Sequence, residues 1–122
     1  MKLEEVSALK VGCGQYFSGA GVIELLAPTI ERLGGKALMI GGVTGSRLVM
    51  EAAEDSLVFA GIPHKVVVHT GQCTKAYAEQ YAKEALQDGY TVIVGMGGGK
   101  CIDLAKATSV LSGLPIVTVP TS

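Results

Sequence analysis

The chain has 122 residues, 48% of them apolar and 17% charged, which is the size of one domain, able to bury roughly two thirds of its unfolded surface, and too hydrophobic for a disordered segment. Ten basic and eleven acidic residues leave a net charge of -1, so the electrostatic footprint that nucleic acid or an anionic membrane surface requires is missing. No apolar run approaches the length of a membrane span, and Met1-Lys2-Leu3-Glu4-Glu5 opens no signal segment; a soluble cytoplasmic protein is expected.

In chain order, a strand is expected over Gly12 to Ser18, then a Gly19-Ala20-Gly21 turn and a helix carrying Val22, Leu25, Leu26, Ile30 and Leu33. Pro28 interrupts that helix, because a proline removes one backbone hydrogen bond and clashes with the preceding turn. The sequence therefore predicts a kink or a restart near Ala27. Lys36 to Gly41 is a short apolar run closed by Gly41-Gly42 and reads as a buried strand. A helix follows, with Leu48, Val49, Ala52, Ala53, Leu57 and Ala60 on one stripe and Gly61 as its stop.

Lys65 to Val68 is a short β-branched strand. Thr74 to Asp88 places Tyr77, Ala78, Tyr81, Ala82, Ala85 and Leu86 on one helical face before Gly89. Tyr90 to Gly95 is an apolar strand, Lys100 to Leu111 a helix stopped by Gly113, and Ile116 to Val119 a last strand. Repeated βα units of this length predict an α/β fold, Rossmann-like, with a parallel sheet, right-handed crossovers and helices on both faces, in a single domain. No repeat, low-complexity tract or linker divides it.

Cys13, Cys73 and Cys101 are odd in number and far apart, with no C-x-x-C spacing, which argues against a disulfide framework or a zinc knuckle. His64 and His69 stand at an odd separation on a strand and should face opposite ways, so structural roles are expected for them rather than metal ligation.

The chemistry concentrates at Val92-Ile-Val-Gly95-Met96-Gly97-Gly98-Gly99-Lys100-Cys101-Ile102-Asp103-Leu104-Ala105-Lys106. A strand runs into three glycines and directly into a helix, so bare backbone amides can approach an anion at the positive end of the helix dipole. A pyrophosphate suits such a place. The spacing is neither G-x-G-x-x-G nor a Walker A loop, since Val94 stands where the first glycine belongs and Cys101 replaces the metal-binding hydroxyl. A phosphotransferase is therefore disfavoured. Composition and spacing stop at an α/β domain that binds a phosphate-bearing ligand.

Three pieces in order, Tyr16-x-x-Gly19-x-Gly21, Gly-Gly-Gly-Lys-x-x-Asp-x-Ala-Lys from Gly97 to Lys106, and Pro115-x-x-x-x-Pro120-Thr121, resemble the iron- or zinc-dependent alcohol dehydrogenases that include glycerol dehydrogenase. Lys100, where many members carry serine, is similar to the glycerol and glycerol-phosphate dehydrogenase branch. The resemblance implies an NAD or NADP cofactor, with Gly97, Gly98 and Gly99 at the pyrophosphate, Lys100 adding charge, Asp103 near the nicotinamide side and Thr121 near the adenine side. It also places Gly42 where members usually carry an acidic residue for the ribose. Lys100 equally reads as a solvated lysine, and Asp103 as a partner of Lys106.

The resemblance covers the first third of such an enzyme, so residues 1-122 are expected to be its N-terminal dinucleotide-binding domain. The helical domain that carries the zinc or iron ligands and the small polyol substrate lies outside this sequence. The chain alone is then expected to be inactive, and to form a homo-oligomer through the edge strand at Gly12 to Ser18. The competing reading is a stand-alone nucleotide-binding or assembly module without catalysis.

Overall fold

The computed structural model describes residues 8–11, 15–18, 22–42, 47–70 and 73–120. Their elements are β1 (Ala8–Val11), β2 (Gln15–Ser18), a 3-10 turn (Val22–Leu25), α1 (Leu26–Arg32), β3 (Ala37–Gly42), α2 (Arg47–Phe59), β4 (His64–His69), α3 (Lys75–Gln87), β5 (Val92–Gly97), α4 (Gly99–Ser112) and β6 (Ile116–Pro120). They build a six-stranded sheet of order β2-β1-β6-β5-β3-β4. The four strands β6, β5, β3 and β4 are parallel, as the βα alternation predicts.

The two outer strands depart from that expectation. Where one strand was expected from Gly12 to Ser18, β1 and β2 form an antiparallel pair, and β1 adds antiparallel to β6. The sheet is thus mixed. Ala8–Val11 is too short a run to stand out by periodicity, and it is the pairing to β2 and β6 on either side that makes it a strand. Gly12 to Gly14 lie outside the described residues.

Alternation along the strands assigns the two faces. Ala37 and Met39 of β3, with Val92, Val94 and Met96 of β5, bury against Leu26 and Ile30 of α1 and Val49, Met50, Ala53 and Leu57 of α2. Leu38, Ile40 and Ile93 bury on the other side, against Ala78, Tyr81 and Ala85 of α3 and Leu104 and Ala105 of α4. Helices therefore cover both faces, and apolar side chains on successive residues are what strands buried on both sides require.

Local chemistry explains most boundaries. Pro28 falls at the third residue of α1, where its missing N–H has no intrahelical partner anyway, and the helix restarts at Leu26 after a 3-10 turn. Thr74 caps α3 by accepting from the Tyr77 N–H. Gly61, Gly89 and Gly113, expected as stops, all adopt the left-handed conformation just past α2, α3 and α4.

The helix stripes needed correction at their margins. On α2 Met50 is buried and Ala60 exposed, because bare Gly41 beneath leaves the room that Met50 fills; a Cβ at Gly41 would lie 2.4 Å from its Sδ. On α3 Tyr77 and Leu86 are exposed flanks of the buried row Ala78, Tyr81, Ala82 and Ala85. Among the described residues no helix is long and apolar enough to cross a membrane.

Candidate functional site

A doubly wound sheet has one place where its connections change direction. From β3 the chain passes through α2 to β4 on one side; from β4 it crosses back through α3 to β5 on the other. The carboxyl ends of β3 and β5 are therefore the switch point of the sheet, which is where such sheets take ligands. Both glycine clusters converge there. Gly41 pairs with Met96, so Gly42 and Gly97 are the next residues out on adjacent strands.

The glycine motif is resolved into three different roles. Strand β5 runs two residues further than its expected end at Gly95, so Gly97 is its last residue and turns the chain with φ +115°. Only glycine adopts that conformation at low cost. Gly98 is the N-cap of α4 at φ -81° and ψ -177°, an extended backbone open to any residue. Gly99 begins α4, one residue before the expected Lys100.

Among the described residues, no atom beyond the chain neighbours and the helix's own backbone lies within 4 Å of a Cβ placed at Gly98 or at Gly99. Contacts among those residues therefore do not call for glycine at either position. The empty volume lies directly at a helix N-terminus: the first bond of α4 runs from the Ile102 N–H to the Gly98 carbonyl, so the N–H groups of Gly99, Lys100 and Cys101 precede the intrahelical ladder. Gly98 supplies no side-chain cap. Three donors, a positive helix end and an unfilled cradle fit a pyrophosphate.

Of the remaining expected residues, Lys100 and Asp103 stand in the first turns of α4 and Gly42 at the end of the neighbouring strand. Lys100 is exposed in the first turn of α4, an unfavourable place for a cation unless an anion joins it. Asp103 is exposed on the same helix, as is Lys106. Gly42 is half-buried at the tip of β3, and a Cβ there would come within 2.9 Å of the Cys101 Sγ. Burial raises the Cys101 pKa above the usual thiol value, which keeps it a neutral thiol beside Gly42. Thr121 lies outside the described residues, as do the sequence features around Gly19 and Gly21.

Periodicity did not single out Gly95, yet a Cβ at that position would lie 2.5 Å from the Ala105 Cβ. Helix α4 is seated unusually close to β5 because Gly95 has no side chain. The signal was in the sequence, a lone glycine inside an apolar strand, which often marks a close approach.

No metal centre forms among the described residues: no three His, Cys, Asp or Glu side chains gather. His64 and His69 do face opposite ways. His64 hydrogen-bonds the Ile62 carbonyl at 2.9 Å and Glu54 of α2, whereas buried His69 lies 3.2 Å from the Tyr81 hydroxyl of α3. The two rings thus pack against helices on opposite faces of the sheet, as the odd spacing predicts.

Comparison with known proteins agrees with this geometry. Residues 13–122 match the family described as iron-containing alcohol dehydrogenase. A glycerol dehydrogenase of Pseudomonas putida is 32% identical over 112 residues, which are 88% of this chain and 30% of that protein. A glycerol-1-phosphate dehydrogenase [NAD(P)+] of Methanothermobacter thermautotrophicus is 33% identical over 113 residues, 88% of this chain and 31% of its own length. The crystal structure of a probable glycerol dehydrogenase from Sinorhizobium meliloti superimposes with a TM-score of 0.65 at 30% identity, covering 83% of this chain and 26% of that one. The chain thus spans about 30% of the length of the curated relatives it matches.

Proposed function

The chain belongs to the iron-containing alcohol dehydrogenase family, and from that premise we propose that residues 1-122 are the dinucleotide-binding domain of an NAD(P)-dependent, glycerol dehydrogenase-like enzyme that oxidises a secondary alcohol to a ketone. The observation that carries the reading is the space that the described residues leave open over Gly98 and Gly99, at the helix start beside the switch point of the sheet. The pyrophosphate takes the free amides at the start of α4, and Lys100 adds its charge there. One ribose lies over Gly42, and Asp103 stands on the nicotinamide side.

The described residues do not fit a zinc or iron ion, so no step of the reaction is assigned to a metal held by them. The part of the chemistry proposed for this domain is to bind the nicotinamide cofactor and orient it for hydride transfer. The polyol substrate is met by residues outside those described.

Titrating the purified chain with NADH, NADPH and ATP tests the proposal. NADH and NADPH are expected to bind comparably. An acidic side chain at the end of β3 would bind the ribose hydroxyls and repel a 2′-phosphate, and Gly42 does neither. A preference for NADH above about a hundredfold, roughly 2.7 kcal/mol, contradicts the role given to Gly42. Tight binding of ATP with no binding of either dinucleotide overturns the cofactor reading as a whole.

A homo-oligomer belongs to the same proposal. Strand β2 is one edge of the sheet, and an edge strand offers unpaired backbone groups to a second copy of the chain. Sedimentation at high protein concentration is expected to show self-association; a strictly monomeric species refutes it.

A further inference from the structure

The glycines at the cradle are bare toward the ligand, but Gly95 is bare toward the helix that supplies the amides. It lies in β5 two residues before the turn, wholly buried. A Cβ at 95 would meet the Ala105 Cβ at 2.5 Å, with Ile102 Cδ1 at 3.7 Å and the Cys101 carbonyl oxygen at 3.8 Å. Ordinary contact begins at 3.4 Å. One methyl group, that of Ala105, therefore fills the interface between strand and helix, and a second one forces them apart by about an ångström.

We infer that the pair Gly95–Ala105 sets the height of α4 over the sheet and so aims the first-turn amides at the phosphates, making Gly95 a positioning residue for the ligand. The inference rests on the dinucleotide reading above. Ala105 sits little more than one turn beyond Cys101, and Gly95 also lies beneath the Cys101 carbonyl, so a displacement at this contact is passed to the amides of Gly99, Lys100 and Cys101 with little to absorb it. A misplacement of about an ångström in a preorganised site costs on the order of a hundredfold. On the opposite face Gly41 admits the flexible side chain of Met50, which can yield. The methyl of Ala105 cannot.

The test moves the methyl from one side of the contact to the other. In the purified chain, Gly95→Ala is expected to weaken NADH and its competitor inorganic pyrophosphate by the same factor, about ten- to a hundredfold. Gly95→Ala/Ala105→Gly again places a single methyl in the interface and is expected to bind both probes within about threefold of wild type. It should do so even though glycine within a helix lowers the melting temperature, so affinity and stability part ways, which a purely structural role does not produce. A folded Gly95→Ala chain with unchanged affinity, or a double variant as weak as the single one, overturns the proposal. If Gly95→Ala does not fold, Ala105→Val enlarges the same contact from the helix side, and unchanged affinity there overturns it equally. Failure of the wild-type chain to bind NADH removes the dinucleotide reading and this inference together, whereas wild-type binding with no rescue removes only this inference.

Discussion

Replacing Gly98 by valine is expected to abolish NADH binding, with at least a hundredfold loss of affinity, while leaving the fold in place. The two halves of that outcome have separate causes. Gly98 has an extended backbone at φ -81° and ψ -177°, which valine adopts readily. No described residue beyond the chain neighbours lies within 4 Å of the new Cβ, so no clash with them follows. The cost to folding is the poorer helix cap, on the order of 1 kcal/mol, a few degrees in melting temperature for a domain of this size. The ligand loses far more, because the branched side chain occupies the volume between the phosphates and the N–H groups that open α4. A hundredfold loss corresponds to about 2.7 kcal/mol, the scale of one or two hydrogen bonds to a charged group. Gly97→Val is the informative contrast: at φ +115° a branched residue is strained by the backbone itself, and folding is expected to suffer along with binding. NADH fluorescence titration beside a circular-dichroism melt separates the two variants. Wild-type affinity in a folded Gly98→Val chain would sink the assignment of the cradle.

How much of this was legible beforehand follows from which interactions are local. The parallel core was, since each βα unit carries its own apolar period and its own glycine stop, and Gly61, Gly89 and Gly113 mark the ends of three helices. The cradle was legible as a motif but not in its division of labour. That Gly97 serves the turn and Gly95 the close approach of the helix, while Gly98 and Gly99 meet neither demand among the described residues, depends on contacts that pattern alone cannot rank. The hairpin of β1 and β2 was hidden for a related reason. Four-residue strands have too few alternations to read, and β6, the strand that joins β1 to the sheet, lies about a hundred residues away in the chain. Met50 was missed because its place in the core depends on the bare backbone of Gly41 opposite.

Replacing Leu104 by alanine is expected to destabilise the chain by about 2–5 kcal/mol, a loss of roughly 10 °C or more in melting temperature. Leu104 is fully buried. It packs with Leu38 and Ile40 of β3, Ile93 of β5 and Ala78, Tyr81 and Ala85 of α3, and the two strands are held at fixed spacing by sheet hydrogen bonds. Such walls relax little, so the cavity stays open and its cost adds to the lost transfer free energy. Against a total stability of about 5–15 kcal/mol, that is a large share. Val110, two turns along the same helix and 80% exposed, is the control, and Val110→Ala is expected to fall within about 0.5 kcal/mol of wild type. Leu104 faces the core rather than the cradle, so NADH affinity measured where the variant is fully folded should remain close to wild type, in contrast to Gly98→Val. Urea unfolding of the three chains at one temperature reads this out directly. A loss below about 1 kcal/mol for Leu104→Ala, with an unchanged slope against urea, means that α4 can settle onto the sheet without that side chain. In that event the close contact at Gly95 and Ala105 would not fix the helix height either, so the stability measurement also bears on how the amides of the cradle are held.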